Sequence, residues 1–340
     1  MTSTHPICLR HVVLLGLASA GLLLLACSGS PGQPAVSPTA DGSALVRKAG
    51  TVERDVTYCS VDGIDLKMDV YYPSATDGRP APVAVYVHGG GWVSGSKGGG
   101  AGRLDVGELV SRGYVVASVD YRLAPTYQFP AQIEDVKCAI RSLRAQAAEY
   151  GIDPDRIGAW GGSAGGHLVS LLGTTDARAG FDVGPYPEQS SRVRAVVDLF
   201  GPSDLTVFGM AIAMATSPPA IGTATAMATS APAFGTVTAM VTGARVFGAA
   251  SPDDLARASP VTYASGDDPP FLILQGEKDA VVPPNQSQIL YDRLTAAGVR
   301  ATLVMVKNAG HGFRPVGGPI SPTRSELTMM SADFFDEHLR

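Results

Sequence analysis

The sequence predicts a single α/β domain with a mostly parallel central sheet, helices on both of its faces, and an antiparallel hairpin at its start. Three observations carry this. Short Val-rich apolar runs, "PVAVYVHGGGW" and "YVVASVDYR", suit strands buried on both faces of a parallel sheet. Such runs alternate with stretches in which apolar residues recur at helical spacing, the succession that builds crossover connections. Ahead of them, "VTYCSV" and "LKMDVYY" flank a turn at Asp62-Gly63 and read as a hairpin.

The chain has 340 residues, of which 45% are apolar and 17% charged, so it can bury a large core. Its formal charge of -5 and the lack of any Lys/Arg-rich run leave no basic field for a polyanion, and no nucleic acid is expected as a partner. Residues 1–26 read as a signal peptide: a short start carrying Arg10, the apolar run Val12–Ala26, then small residues. That run is shorter than the roughly 20 residues of a membrane span. It ends "LLLLAC", which resembles the lipobox of bacterial lipoproteins and would make Cys27 a lipidation site. The alternative is plain secretion. In either case the protein would be exported, and membrane contact would come only through the lipid anchor. Residues 27–50, rich in Ser, Pro and Gly, read as a flexible tether, and 51–340 as the folded domain.

Along that domain, Ile133, Val136, Ile140, Leu143 and Ala147 share one helical face, with Gly151 as a stop. "RIGAW" is a strand followed by a helix from near Ala164. "VRAVVDLFG", "PPFLILQG" and "ATLVMVK" are further strands, "NQSQILYDRLTAAG" a helix between the last two, and "SELTMMSADFFDEHL" a closing helix. Cys59 and Cys138 either form a disulfide, which an export route permits, or pack as small buried hydrophobes. No metal-ligand spacing surrounds them.

Residues 205–250 interrupt the pattern. Ala213–Thr238 holds two near-copies of a 13-residue phrase, "AMATSPPAIGTAT" and "AMATSAPAFGTVT", without a charge. Thirteen residues advance a helix by about 220° beyond whole turns, and an odd number flips strand facing, so successive copies present no common face. The segment reads either as a duplicated loop or as a flap in which Met210, Met214, Met227 and Met240 shield a pocket.

The chemistry concentrates in five places. "GGSAG", Gly161–Gly165, fits G-x-S-x-G between a strand and a helix, the setting in which Ser163 would sit on a tight turn with Oγ exposed. A serine hydroxyl needs a base. His311, just past "ATLVMVK", stands at the loop edge of the sheet where sites of such folds gather. His167 points along the helix after Ser163, His88 precedes glycines with another use, and His338 lies at the C-terminus. An imidazole needs a carboxylate to fix its tautomer, and Asp279 in "GEKDAVVP" gives the chain order Ser, Asp, His, with Glu277 and Asp204 as rivals. For Asp204 a helix N-cap is the plainer use. "HGGGW" ends a strand with glycines able to approach a substrate, so the N–H groups of Gly90, Gly91 and Ala164 are the expected oxyanion hole. His88 would hold that loop, and Trp92 would either line a substrate pocket or pack in the core. "GSKGGGAG", Gly95–Gly102, fails the phosphate-loop pattern and reads as a mobile loop.

Together "HGGGW", "YRLAP", "DPDRIGAWGGSAGGHL", "GEKDAVVP" and "GHGF" resemble the α/β-hydrolase superfamily, specifically hormone-sensitive-lipase-like esterases, over about Asp55 to Arg340. Gly162 stands where that group has Asp. "GGSAGGHL" with "FPAQIEDVKCAIRSLRA" is more similar to the bacterial branch of feruloyl and acetyl-xylan esterases. The resemblance implies an α/β-hydrolase fold with 205–250 in the cap position. It implies a cofactor-free, metal-free serine carboxylesterase acting on small-molecule esters through an acyl-enzyme. An amide-cleaving hydrolase and a non-catalytic binding protein on the same scaffold are the alternatives.

Overall fold

The computed structural model describes residues 42–340 apart from 101, 104, 209–245 and 247–250. Segment 1–26, Cys27 and the Ala213–Thr238 repeat lie outside the described residues. The hairpin forms from β1 (Val52–Val61) and β2 (Ile64–Tyr71), with Gly63 supplying φ +79 in the turn. Next come β3 (Ala81–Val87), α2 (Asp105–Ser111) and β4 (Val115–Val119), preceded by a short α1 at Ser43–Lys48. The helix expected from Ala131 breaks at Gln146 into α3 (Ala131–Ala145) and α4 (Ala147–Tyr150), and Gly151 ends it in the left-handed region, as expected. Then follow β5 (Ile152–Gly162), α5 (Ala164–Thr174), β6 (Ala195–Leu199), α6 (Pro252–Arg257), β7 (Phe271–Gly276), α7 (Asn285–Ala296), β8 (Ala301–Val306) and α8 (Arg324–Leu339).

The eight strands form one sheet in the order β1-β2-β4-β3-β5-β6-β7-β8. β1, β2 and β4 pair antiparallel, and every pairing from β4 through β8 is parallel. Alternation along the central strands splits the core in two. Val83, Val85 and Val87 of β3 face α3, α5 and α7, whereas Ala84 and Tyr86 face α2 and α8 with Trp160. Because β3, β4, β6 and β7 are buried on both faces, they read as near-continuous apolar runs, interrupted by Ser118, Asp198 and Gln275.

Two expectations change and one open alternative is decided. The tether boundary at 50 is too late, because α1 buries Ala44 and Leu45 against the domain. The Gly95–Gly102 loop is anchored. Lys97 Nζ lies 2.8 Å from Asp55 and 3.6 Å from both Asp69 and Asp120, and its backbone N–H donates to Asp120 at 2.6 Å. Tyr86 Oη donates to Gly99 O and Trp160 Nε1 to Gly102 O. The glycines let the loop lie close: a Cβ on Gly100 would stand 2.6 Å from Tyr86 Oη. Finally, Cys59 of β1 and Cys138 of α3 are joined as a disulfide across 79 residues. Closing a loop of that length stabilises the folded chain by about 4 kcal/mol in the chain-entropy account.

Candidate active site

The last residues of β5 and the first of α5 are forced together. Ser163 holds φ 58, ψ -121, a conformation that L-residues avoid, and its N–H donates to Leu199 O at 2.9 Å. The flanking glycines make the turn feasible: a Cβ on Gly165 would lie 2.1 Å from Val87 O, and one on Gly161 2.6 Å from the same oxygen. Both outer glycines of G-x-S-x-G therefore stand where a side chain would strike main chain.

His311 follows β8 in a short turn, and Asp279 follows β7. His311 Nε2 lies 3.0 Å from Ser163 Oγ, and Nδ1 lies 2.8 Å from Asp279 Oδ2. Asp279 is buried, and its other oxygen accepts from the N–H groups of Val281 and Val282 at 2.8 and 2.9 Å. A carboxylate held by these donors cannot swing away from the imidazole. The Phe200 ring meets His311 edge-on at 4.9 Å and Phe313 at the same distance, closing the other side. The rivals go elsewhere. Among the described residues, Glu277 accepts only a long 3.4 Å contact from Asn308 N. Asp204 caps the helical turn 205–208, accepting from Thr206 N and Val207 N.

Gly90 and Gly91 adopt φ 122 and φ 61, and the turn is fixed by Gly90 O accepting from Val93 N, Ser94 N and Ser94 Oγ. The loop presses on the serine turn, since a Cβ on Gly89 would stand 2.7 Å from Gly162 O and 3.4 Å from Ser163 Cβ. Among the described residues, the N–H groups of Gly90, Gly91 and Ala164 donate to no protein acceptor. His88 is buried, stacks on Tyr121 at 4.2 Å and has its carbonyl held by Tyr121 Oη at 3.0 Å. It holds the loop, as expected. Of the two uses open for Trp92, the structure shows the core one: the residue is buried and its indole Nε1 donates to His167 Nδ1 at 3.2 Å.

Sequence reasoning missed Gln275, fully buried in β7, whose amide nitrogen reaches Asp279 Oδ2 at 3.4 Å and Val282 O at 3.2 Å. A polar side chain inside the apolar run "FLILQG" was the available signal. It also missed Asp198 in "VRAVVDLFG", buried in β6 and bonded to Gly201 N and Ser170 Oγ.

A family model designated BD-FAE matches residues 68–294. The chain belongs to this family. Among curated relatives of this BD-FAE chain, "Probable carboxylic ester hydrolase LipM" of Mycobacterium tuberculosis is 35% identical over 63% of this chain and 45% of its own length. "Esterase LipQ" of the same organism is 32% identical over 78% of this chain and 58% of its own. The chain thus spans about half the length of these relatives. Among solved structures, a truncated carbohydrate esterase from gut microbiota superposes with a TM-score of 0.64 at 29% identity, covering 85% of this chain and 96% of that one. The propionate-bound Est2 esterase of Thermogutta terrifontis gives 0.64 at 25% identity over 84% and 94%. The expected α/β-hydrolase fold is borne out.

Proposed function

We propose that this chain is a carboxylic-ester hydrolase using Ser163, His311 and Asp279 through an acyl-enzyme. The observation that carries the reading is His311 bridging Ser163 Oγ at 3.0 Å and the Asp279 carboxylate at 2.8 Å. The relatives named as ester hydrolases support it.

In this reading Ser163 Oγ attacks the ester carbonyl while His311 Nε2 takes its proton, and Asp279 stabilises the imidazolium that forms. The carbonyl oxygen becomes an oxyanion facing the unclaimed N–H groups of Gly90, Gly91 and Ala164. Collapse expels the alcohol, protonated by His311. Water, deprotonated by the same nitrogen, then attacks the acyl-enzyme and releases the acid. No step calls for a metal or cofactor.

Short acyl or carbohydrate-linked esters are the proposed substrates, because the structural neighbours include a carbohydrate esterase and an esterase holding propionate or butyrate. Export is part of the same proposal. A disulfide persists in an oxidising compartment, which agrees with the signal-like segment 1–26 and with Cys27 as the anchor. Ser163→Ala should abolish hydrolysis of p-nitrophenyl acetate and the mass gain of a trapped acyl-enzyme. Wild-type turnover by that variant would overturn the reading. Palmitate labelling of cells that is lost on Cys27→Ala tests the anchor.

A further inference from the structure

The expected oxyanion hole is assembled from two separate pieces of chain. Gly90 and Gly91 belong to the loop after β3, whereas Ala164 is the first residue of α5. A hole made of two pieces works only while their relative position is fixed to a fraction of an ångström. One buried imidazole spans both pieces.

His167 lies one turn into α5, three residues after Ala164, and is fully buried. Its Nδ1 accepts from the indole Nε1 of Trp92 at 3.2 Å, and the two rings meet edge to face at 5.1 Å and 89°. Trp92 is the residue directly after Gly91. On its other side His167 Nε2 lies 2.7 Å from Ala258 O, in the turn that closes α6 after the 205–250 insertion. These partners dictate the tautomer. An indole nitrogen only donates and a carbonyl oxygen only accepts, so Nδ1 must be bare and Nε2 must carry the proton. The imidazole is therefore neutral and has both nitrogens occupied. Burial agrees, pulling its pKa down to about 4.

The backbone of Trp92 gives the bond its importance. Trp92 sits at φ 61, a left-handed conformation that a bulky residue adopts only when its surroundings hold it there. Its carbonyl accepts from Ala124 N at 3.0 Å, which fixes the loop on the Ala124 side. The indole bond to His167 fixes it to α5. An apolar side chain at 167 could fill the space, but it would remove this bond between the loop and α5 and so loosen the φ of Trp92, which aims the peptide groups of Gly90 and Gly91.

We propose that His167 is a positioning residue for ester hydrolysis, locking the Gly90–Gly91 half of the oxyanion hole to the Ala164 half through Trp92. The inference rests on the ester-hydrolase reading. It assigns His167 no proton transfer and no contact with substrate.

The test uses the full chain and its Ser163→Ala variant as a baseline, with p-nitrophenyl acetate as substrate and a trifluoromethyl ketone as an oxyanion-forming inhibitor. Trp92→Phe keeps an aromatic ring, though a smaller one, and removes the donor. His167→Leu removes both nitrogen contacts. His167→Gln keeps an acceptor and a donor at nearly the imidazole spacing. Trp92→Phe and His167→Leu should each lower kcat about 100-fold, with KM within about twofold, and weaken the ketone by a similar factor. His167→Gln should recover most of both. The double variant should be little worse than either single one, since both remove the same contact. If His167→Leu does not fold, Trp92→Phe against His167→Gln carries the comparison. Wild-type kcat and ketone affinity in Trp92→Phe would overturn the proposal, as would equal losses in the Gln and Leu variants. A wild-type rate no higher than that of Ser163→Ala would instead overturn the ester-hydrolase reading and this inference with it.

Discussion

The two halves of the candidate site are held by different physics. The half proposed to carry the nucleophile, here the nucleophile half, comprises the end of β5, the start of α5 and the loop after β3, and is fixed by backbone pressed on backbone. Gly161, Gly165 and Gly89 stand where any Cβ would come within 2.7 Å of a main-chain oxygen. The half proposed for acid–base work, here the acid–base half, lies on the loops after β7 and β8 and is fixed by side-chain hydrogen bonds: Asp279 to two backbone N–H groups, to His311 and to Gln275. Steric fixing fails all at once, because main chain cannot step aside. Hydrogen-bond fixing fails by degrees, because each lost bond leaves others in place.

Gly165→Ala should give the largest effect. Its Cβ would fall 2.1 Å from Val87 O and 2.8 Å from His88 O, so β3 and α5 would have to separate. The expected outcome is loss of folded, monodisperse protein by circular dichroism and gel filtration. A folded Gly165→Ala enzyme with near wild-type kcat would show that the nucleophile half yields after all. Asp279→Asn comes next. It keeps the shape of the acid–base half but offers the imidazole an amide that can favour the wrong tautomer. The drop in kcat should be about 10⁴-fold, by analogy with the same change in a serine protease, with the melting temperature little altered. Equal damage to fold and rate would erase the distinction between the halves.

The two kinds of fixing also differ in how legible they were. The glycines, Ser163, Asp279 and His311 were readable because each is tied to a strand end, and strand ends follow from runs such as "RIGAW", "FLILQG" and "ATLVMVK". The Asp204 capping role was readable for the same local reason. Gln275, Asp198 and the partner of His167 were not, since each depends on which distant segment the fold brings alongside. Trp92 shows the limit well: the loop sequence allows a pocket or a core position equally, and α5, 75 residues away, decides. The Lys97 anchor was hidden likewise, because Asp55, Asp69 and Asp120 come from three stretches that meet only once β1, β2 and β4 pair.

Asp198 lies where the halves meet, taking Gly201 N and Ser170 Oγ on its two oxygens at 2.9 and 3.0 Å. Burial pushes its carboxyl up to about 6, and those two bonds only partly oppose the rise. The folded chain therefore keeps a proton that the unfolded chain releases between about pH 4 and pH 6. Its contribution to stability is full below about pH 4 and is lost as pH rises through about 6. Asp198→Asn, uncharged at every pH, should gain on the order of 2 kcal/mol over wild type at pH 7 relative to pH 4 in urea titrations. An unchanged difference at the two pH values would mean that the carboxyl is ionised in the fold without penalty.

The smallest effect should come from Gln275, and it tests the graded half most directly. Its amide nitrogen is shared among Asp279 Oδ2, Val282 O and Gly276 O at 3.2 to 3.4 Å, while its oxygen accepts from Ser287 Oγ at 2.8 Å. The amide thus links α7 to the loop that carries Asp279. Gln275→Leu fills the space but leaves the Ser287 hydroxyl and the Val282 carbonyl without these partners. Asp279 keeps its bonds to Val281, Val282 and His311. About 10-fold in kcat, or ~1.4 kcal/mol, is what loosening one of several bonds to the carboxylate should remove. A loss approaching that of Asp279→Asn would mean that the acid–base half depends on one side chain as sharply as the nucleophile half depends on its glycines, and the contrast between graded and all-or-none fixing would fall.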